Sequence, residues 1–117
     1  MAINDIIHYQ VHDKERIIDA LIALNKQQTN ALTVFVLNDT NQVIGTVTDG
    51  DIRRALIKGA KLDDTITSCM NKNFSYISDR NQDVKELKEL KKKGRRMIPI
   101  LDENGCICEV VDLSVLK

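Results

Sequence analysis

Tryptophan is absent from the 117-residue chain, and two tyrosines and two phenylalanines bring the aromatic share to only 3%. A core built from this sequence is therefore aliphatic: Ile, Leu and Val, with Met as filler. Net charge is also missing. Seventeen basic and seventeen acidic residues cancel, so no global field draws the chain to nucleic acid or to an anionic membrane. No apolar run approaches the ~20 residues that cross a bilayer, and no signal-peptide pattern opens the chain. The default expectation is a cytoplasmic protein with neither membrane nor nucleic-acid partner. The three cysteines, Cys69, Cys106 and Cys108, are odd in number. The C-x-C pair falls on one face of a predicted strand, a pattern of buried thiols rather than of a bridge. His8 and His12 stand four residues apart with no third ligand nearby, so no metal site is expected. The five glycines are scattered and form no phosphate loop. With no nucleophile–base pair either, direct catalysis has nothing to rest on.

What is present is self-similarity. Residues 13–24, DKERIIDALIAL, place Ile17, Ile18, Leu21 and Leu24 on one helical face. Residues 79–90, DRNQDVKELKEL, do the same with Val84, Leu87 and Leu90. Asp13 and Asp79 stand where an N-cap would. Each helix leads to an apolar strand, a polar turn and a second apolar strand: TVFVLNDTNQVIGTV (33–47) and, without a gap, MIPILDENGCICEVV (97–111). Val11 and Ile77 mark short apolar segments ahead of each helix. The first unit closes with DIRRALIKG, stopped at Gly59, while the second is expected to break off near VDLSVLK before its closing helix. Between them, residues 61–73 read as a short helix capped by Asp63 or Asp64, followed by a linker. Pro99 falls at the start of a predicted strand. Neither unit can bury its sheet alone, so the expected fold is α/β (α+β). Two pseudo-twofold-related β-α-β-β-α units, 1–60 and 61–117, pack as one module.

The stretch GTVTDGDIRRAL (45–56) concentrates polar chemistry at a strand-to-helix junction. Thr48 and Asp51 form T-x-x-D, a capping box in which the hydroxyl accepts from a backbone N–H and the acid reaches back. The same pair could instead hold a ligand. A carboxylate can accept both O–H donors of a vicinal diol, and the positive end of the following helix favours phosphate. Arg53 and Arg54 diverge by ~100° on a helix, so at most one faces such a ligand.

PILDENG (99–105), GTVTDGD (45–51) and the linker SCMNKNFSYI (68–77), at matching offsets across the whole chain, resemble a tandem CBS domain pair, the Bateman module. VIGTVTDGDIRRALIKG followed by LDD and CMNKN is similar to the pair found ahead of bacterial sugar-phosphate nucleotidyltransferase domains. The resemblance implies a regulatory segment that binds an adenine nucleotide (AMP, ADP or ATP) between its halves, requires no cofactor, and acts on a fused catalytic domain. It also implies a homodimer formed through the helices. By the same resemblance Asp51 and Thr48 contact ribose, Thr46 lies against the base, Gly45 is a further nucleotide-binding position, and Met70, Asn71 and Ser75 are candidates to complete the pocket. Arg53, and Arg95 and Arg96 ahead of the strand MIPIL, are the basic candidates for phosphate. In the second unit, Asp112 stands where Thr48 does and Val115 where Asp51 does, so its ribose site is expected to be dead or altered. The competing reading is a ligand-free dimerisation module in which T-x-x-D only caps a helix. The run KKKGRR (91–96) reads as a solvated helix end, not a nucleic-acid patch.

Overall fold

The computed structural model of the chain describes residues 2–3, 6–27, 32–79 and 84–115. Its elements are β1 (Ala2–Ile3), β2 (Gln10–His12), α1 (Ile17–Lys26), β3 (Thr33–Leu37), β4 (Val43–Thr48), α2 (Asp49–Ile57), β5 (Ile77–Ser78), α3 (Val84–Lys92), β6 (Met97–Leu101) and β7 (Ile107–Asp112). They form two sheets, β2-β3-β4 and β1-β7-β6-β5. The expected mixed α/β architecture is present.

The repeat is literal at the level of register. In β3–β4, Thr33 pairs with Thr48, Val36 with Gly45 and Leu37 with Val43, with an irregularity between Val36 and Leu37. In β6–β7, Met97 pairs with Asp112, Ile100 with Glu109 and Leu101 with Ile107, with the irregularity between Ile100 and Leu101. The hairpin turns match as well. The Asn38 side-chain oxygen accepts from the backbone of Thr40 and Gln42, and Asp102 does the same for Asn104 and Cys106. These are Asx turns, the local chemistry that suits Asn and Asp to such positions. The two hairpins then meet each other, Gln42 bridging Cys106 and the Val43 N–H donating to Gly105 O at 3.0 Å.

Strands buried on both faces read as continuous apolar runs, which explains TVFVL and MIPIL. Val34 and Val36 face a cluster with Ile17, Ala20 and Leu24 of α1, joined by Ile52 of α2 and Ile66 of the linker. Ile98 and Ile100 face Leu87 of α3 together with Ile77, Val111 and Leu113. Between the sheets, Phe35, Leu37 and Val43 pack with Met97, Leu101 and Val110 and with Tyr9. Two half-cores are thereby fused through a third.

Several local expectations are corrected. Asp13 is not an N-cap: its N–H donates to Leu37 O, and α1 starts at Ile17, where Asp19 accepts from the Arg16 N–H at 2.9 Å. Asp79 repeats the Asp13 arrangement by donating to Leu101 O; residues 80–83, ahead of α3, lie outside the described residues. The linker helix is a single 3-10 turn, Ile66–Ser68, and follows Thr65 rather than Asp63 or Asp64. Pro99 sits in the middle of β6 opposite Val110. On the other side of β6, pairing with β5 begins only at Ile77–Ile100, whereas the first unit already pairs Gln10 with Phe35. A proline at 99 has no N–H for that extra rung. Cys108 is exposed and Cys106 only partly buried, so the C-x-C face is not a core face. After β7 the chain makes a 3-10 turn, Leu113–Val115, in the place of the closing helix.

Each hairpin has an edge closed by a segment that leads into the other unit. Ala2 and Ile3 pair antiparallel with Val111 and Val110 of β7. Asn71 of the linker pairs antiparallel with Thr46 of β4, through N–H···O bonds of 2.9 and 2.8 Å.

Candidate functional site

A cavity of about 330 Å³ opens between the two units, lined by Thr33, Thr46, Thr48, Asp51, Asn71, Phe74, Ser75 and the segment Gly94–Ile98. Strand geometry assembles its hydroxyl wall. Thr46 and Thr48 are two apart on β4 and share a face, and Thr33 is brought beside Thr48 by antiparallel pairing. At the N-terminus of α2 the Asp51 carboxylate accepts from the Thr48 N–H at 2.9 Å, and the Asp51 N–H donates to Thr48 Oγ1 at 3.1 Å. The capping box is formed, and the same two residues line the cavity. The other Asp51 oxygen accepts from Arg54 at 2.9 Å.

The opposite wall is basic. At the end of α3 the Gly94 N–H donates to Lys91 O and the Arg95 N–H to Leu90 O. Gly94 takes φ +84°, the left-handed conformation that ends a helix and turns the chain back sharply. That reversal carries Arg95 and Arg96 to the cavity. Arg96 is ion-paired, its Nε 3.3 Å from Asp112 Oδ1 and a terminal nitrogen 3.5 Å from Oδ2. Burial works against the charge on Asp112. Hydrogen bonds from Ser114 and Arg96, with the guanidinium's own charge, outweigh it and hold the carboxyl below the ordinary carboxylate range. Arg95 has no ion pair among the described residues.

Of the residues singled out in the sequence, the cavity brings together Thr46, Thr48, Asp51, Asn71, Ser75, Arg95 and Arg96. It does not include Gly45, Arg53 or Met70. Arg53 is exposed and pairs with Asp49 one turn earlier on α2. Met70 packs on the α carbon of Gly45 and lines a second cavity of about 250 Å³ on the far side of Asp51, with Arg54, Ala55, Lys58, Ser68 and Cys69. Burial and the Asp51 charge both push the Cys69 thiol up. Thr33 and Phe74 were not anticipated. Phe74 is partly buried and tilted against Tyr76, ring centroids 6.1 Å apart. A lone aromatic in a linker carries little sequence signal, and Thr33 becomes visible only through its register with Thr48.

In the second unit Asp112 does what Thr48 does in the first. Its side chain accepts from the Ser114 N–H at 2.9 Å, and the Leu113 N–H donates to Arg96 O as Asp49 does to Leu32 O. The turn still has a side-chain cap, made by a different residue. Among the described residues, His12, Asp13 and Asp39 place donor atoms within 4.8 Å of one another. Lys14 already supplies a cation to Asp39 at 3.1 Å. No helix among the described residues is long and apolar enough to cross a membrane.

Residues 5–58 match the CBS domain family model. The fold is that of CBS domain pairs. The CBS domains of a transcriptional regulator from Streptococcus pneumoniae superpose with a TM-score of 0.76 at 17% identity, covering 93% of this chain and 87% of that one. The CBS domain pair of protein MJ0100, in complex with 5′-methylthioadenosine and S-adenosyl-L-methionine, superposes with a TM-score of 0.73 at 20% identity, covering 90% and 84%. In sequence, arabinose 5-phosphate isomerase GutQ of Salmonella typhimurium is 31% identical over 100 residues, 84% of this chain and 30% of the enzyme. Residues 5–58 are thus similar to a CBS domain, within a fold like that of CBS domain pairs, and the chain spans about 30% of the length of the curated relatives it matches. The narrower likeness to pairs ahead of nucleotidyltransferases is not supported, since the matched enzyme is an isomerase.

Proposed function

We propose that the chain is a regulatory nucleotide-binding module, not a catalyst, with an adenine nucleotide held between its halves. The observation that carries this reading is the composition of one cavity. It joins a hydroxyl-and-carboxylate wall (Thr33, Thr48, Asp51) from the first unit to Arg95 and Arg96 from the second, with Phe74 at its side. The volume falls at the lower end of small-molecule sites. In this reading Asp51 accepts the ribose hydroxyls, Phe74 and the β4–linker backbone flank the base, and the arginines meet phosphate. The adenosine-type ligands of the MJ0100 pair support this choice. A ligand that touches both units biases their relative arrangement by its differential affinity, and that bias passes to an attached domain. The attached domain proposed here is a sugar-phosphate isomerase, because GutQ is the enzyme matched. Units 1–60 and 61–117 are the proposed halves, and the cytoplasm is the proposed location.

Thermal unfolding with a nucleotide panel tests the reading. A ligand at a hundredfold excess over its Kd stabilises by ~2.7 kcal/mol, roughly 10 °C for a chain of this size. Undiminished binding in Asp51→Ala, or no shift with any nucleotide at millimolar concentration, would refute it. A second reading, self-association through helices, is favoured by exposed Ile22 on α1 and Ile57 on α2, at 48% and 79% exposure, on helices that touch each other. Sedimentation of a tight dimer insensitive to nucleotide would favour it over the first.

A further inference from the structure

The cavity walls carry three formal charges, and two are already compensated within the protein. Asp51 gives one oxygen to Arg54. Arg96 is gripped by Asp112, which is only 7% exposed and also accepts from the Ser114 N–H. Arg95 is the wall cation without an ion pair among the described residues. We propose that Asp112 is a specificity-determining residue of the cavity: by holding Arg96 it leaves about one uncompensated positive charge, and so selects a nucleotide with one phosphate over one with two or three. The inference rests on the nucleotide reading above and deepens it.

The physical reasons are two. A guanidinium whose N–H fork faces a carboxylate cannot offer that same pair to a phosphate. Releasing it would strand a buried carboxylate without its partner, which is costly. A di- or triphosphate therefore brings added negative charge to a cavity with one wall carboxylate, Asp51, a second, Asp112, held against Arg96, and one wall cation, Arg95, without an ion pair among the described residues. In the first unit the position equivalent to Asp112 is the neutral Thr48. The second unit's altered ribose position thus acquires a different task, as counter-ion to the first unit's site. Asp112 remains ionised at neutral pH, its carboxyl held below the ordinary range by the Ser114 and Arg96 hydrogen bonds despite burial.

Calorimetric titration of the chain with AMP, ADP and ATP, in EDTA to remove divalent cations, tests this. AMP is expected to bind most tightly. Asp112→Asn and Asp112→Thr, each checked for folding by circular dichroism, should reduce the preference for AMP over ATP by roughly tenfold, the effect of one charge-assisted hydrogen bond. Adding Arg96→Gln to Asp112→Thr should remove the gained ATP affinity. A purely structural role for Asp112 would weaken all three ligands alike and leave the ratio unchanged, which overturns the inference alone. ATP binding as tightly as AMP to the unmodified chain overturns it without any variant. If no nucleotide binds the unmodified chain, the site reading itself falls, and this inference with it.

Discussion

Replacing Gly45 with alanine tests how tightly the linker is pressed onto β4. A β-carbon there would overlap Met70 Cγ outright, and would lie 2.5 Å from Met70 Sδ and 3.0 Å from the Asn71 carbonyl oxygen. The methionine side chain can move. The Asn71 carbonyl cannot easily do so, because it accepts from the Thr46 N–H at 2.9 Å in a two-bond bridge. Overpacking of this kind costs typically 1–3 kcal/mol, and loosening one bridge bond adds about 1 kcal/mol. With an unfolding entropy scaled to this length, each kcal/mol lowers Tm by about 4 °C, so Gly45→Ala should melt roughly 8–16 °C below the unmodified chain. The assay is thermal unfolding by circular dichroism, paired with Met70→Ala and the double variant. If the clash is the cause, removing the Met70 side chain recovers part of the loss, giving a coupling of about 1 kcal/mol or more in the double-mutant cycle. An unchanged Tm in Gly45→Ala, or strictly additive effects, refutes the reasoning.

Other expectations concern the site and its charges. Arg53→Ala should leave nucleotide affinity unchanged because its side chain pairs with Asp49 outside the cavity, whereas Arg95→Ala should weaken phosphate-bearing ligands about tenfold or more; calorimetry separates the two. Thr48→Ala should cost about 1 kcal/mol of stability through the lost cap alone, read from urea unfolding without ligand. Phe74→Ala should weaken binding by about 1–3 kcal/mol if the ring stacks on a base, with little change for inorganic phosphate. Asp112 has a depressed carboxyl in the folded state, so its ionisation stabilises the fold above the unfolded value of about 3.9. That contribution disappears as pH falls through the lower folded value. The stability gap between the unmodified chain and Asp112→Asn should therefore narrow as urea titrations move from pH 6 to below pH 4.

Much of the architecture is legible in the amino-acid order because the second unit repeats the first with 64 residues between matching strand positions. Asn38 and Asp102, Thr48 and Asp112, Gly45 and Glu109 could all be aligned without coordinates, and the register agrees. Helix starts were less readable. Asp13 looks like a cap, yet its N–H is drawn to the end of β3, a tertiary bond with no local signature. Thr48 and Asp51 could be chosen from the sequence because capping and diol binding ask for the same residue types. Read as sequence alone, the replacement of that pair by Asp112 and Val115 in EVVDLSVL (109–116) suggests that the turn needs no such cap. The Asp112–Ser114 bond corrects this: the second unit caps its turn with a different acceptor, so the contrast is weaker evidence for a ligand than it looks. Met70 was misassigned because direction alternates along an extended linker. Asn71 and Ser75 reach one cavity while Met70 turns to the other.

The paired edge segments have a consequence for how the protein comes apart. β1, from the start of the chain, closes an edge of the second unit, and Asn71, from the linker, closes an edge of the first. Neither unit can be peeled away without stripping a neighbour's hydrogen-bonding edge, and bare edges invite pairing with other chains. The two units are clasped like crossed straps, so melting should occur as one event, and a chain cut at the linker should yield pieces that recombine or aggregate instead of two stable halves.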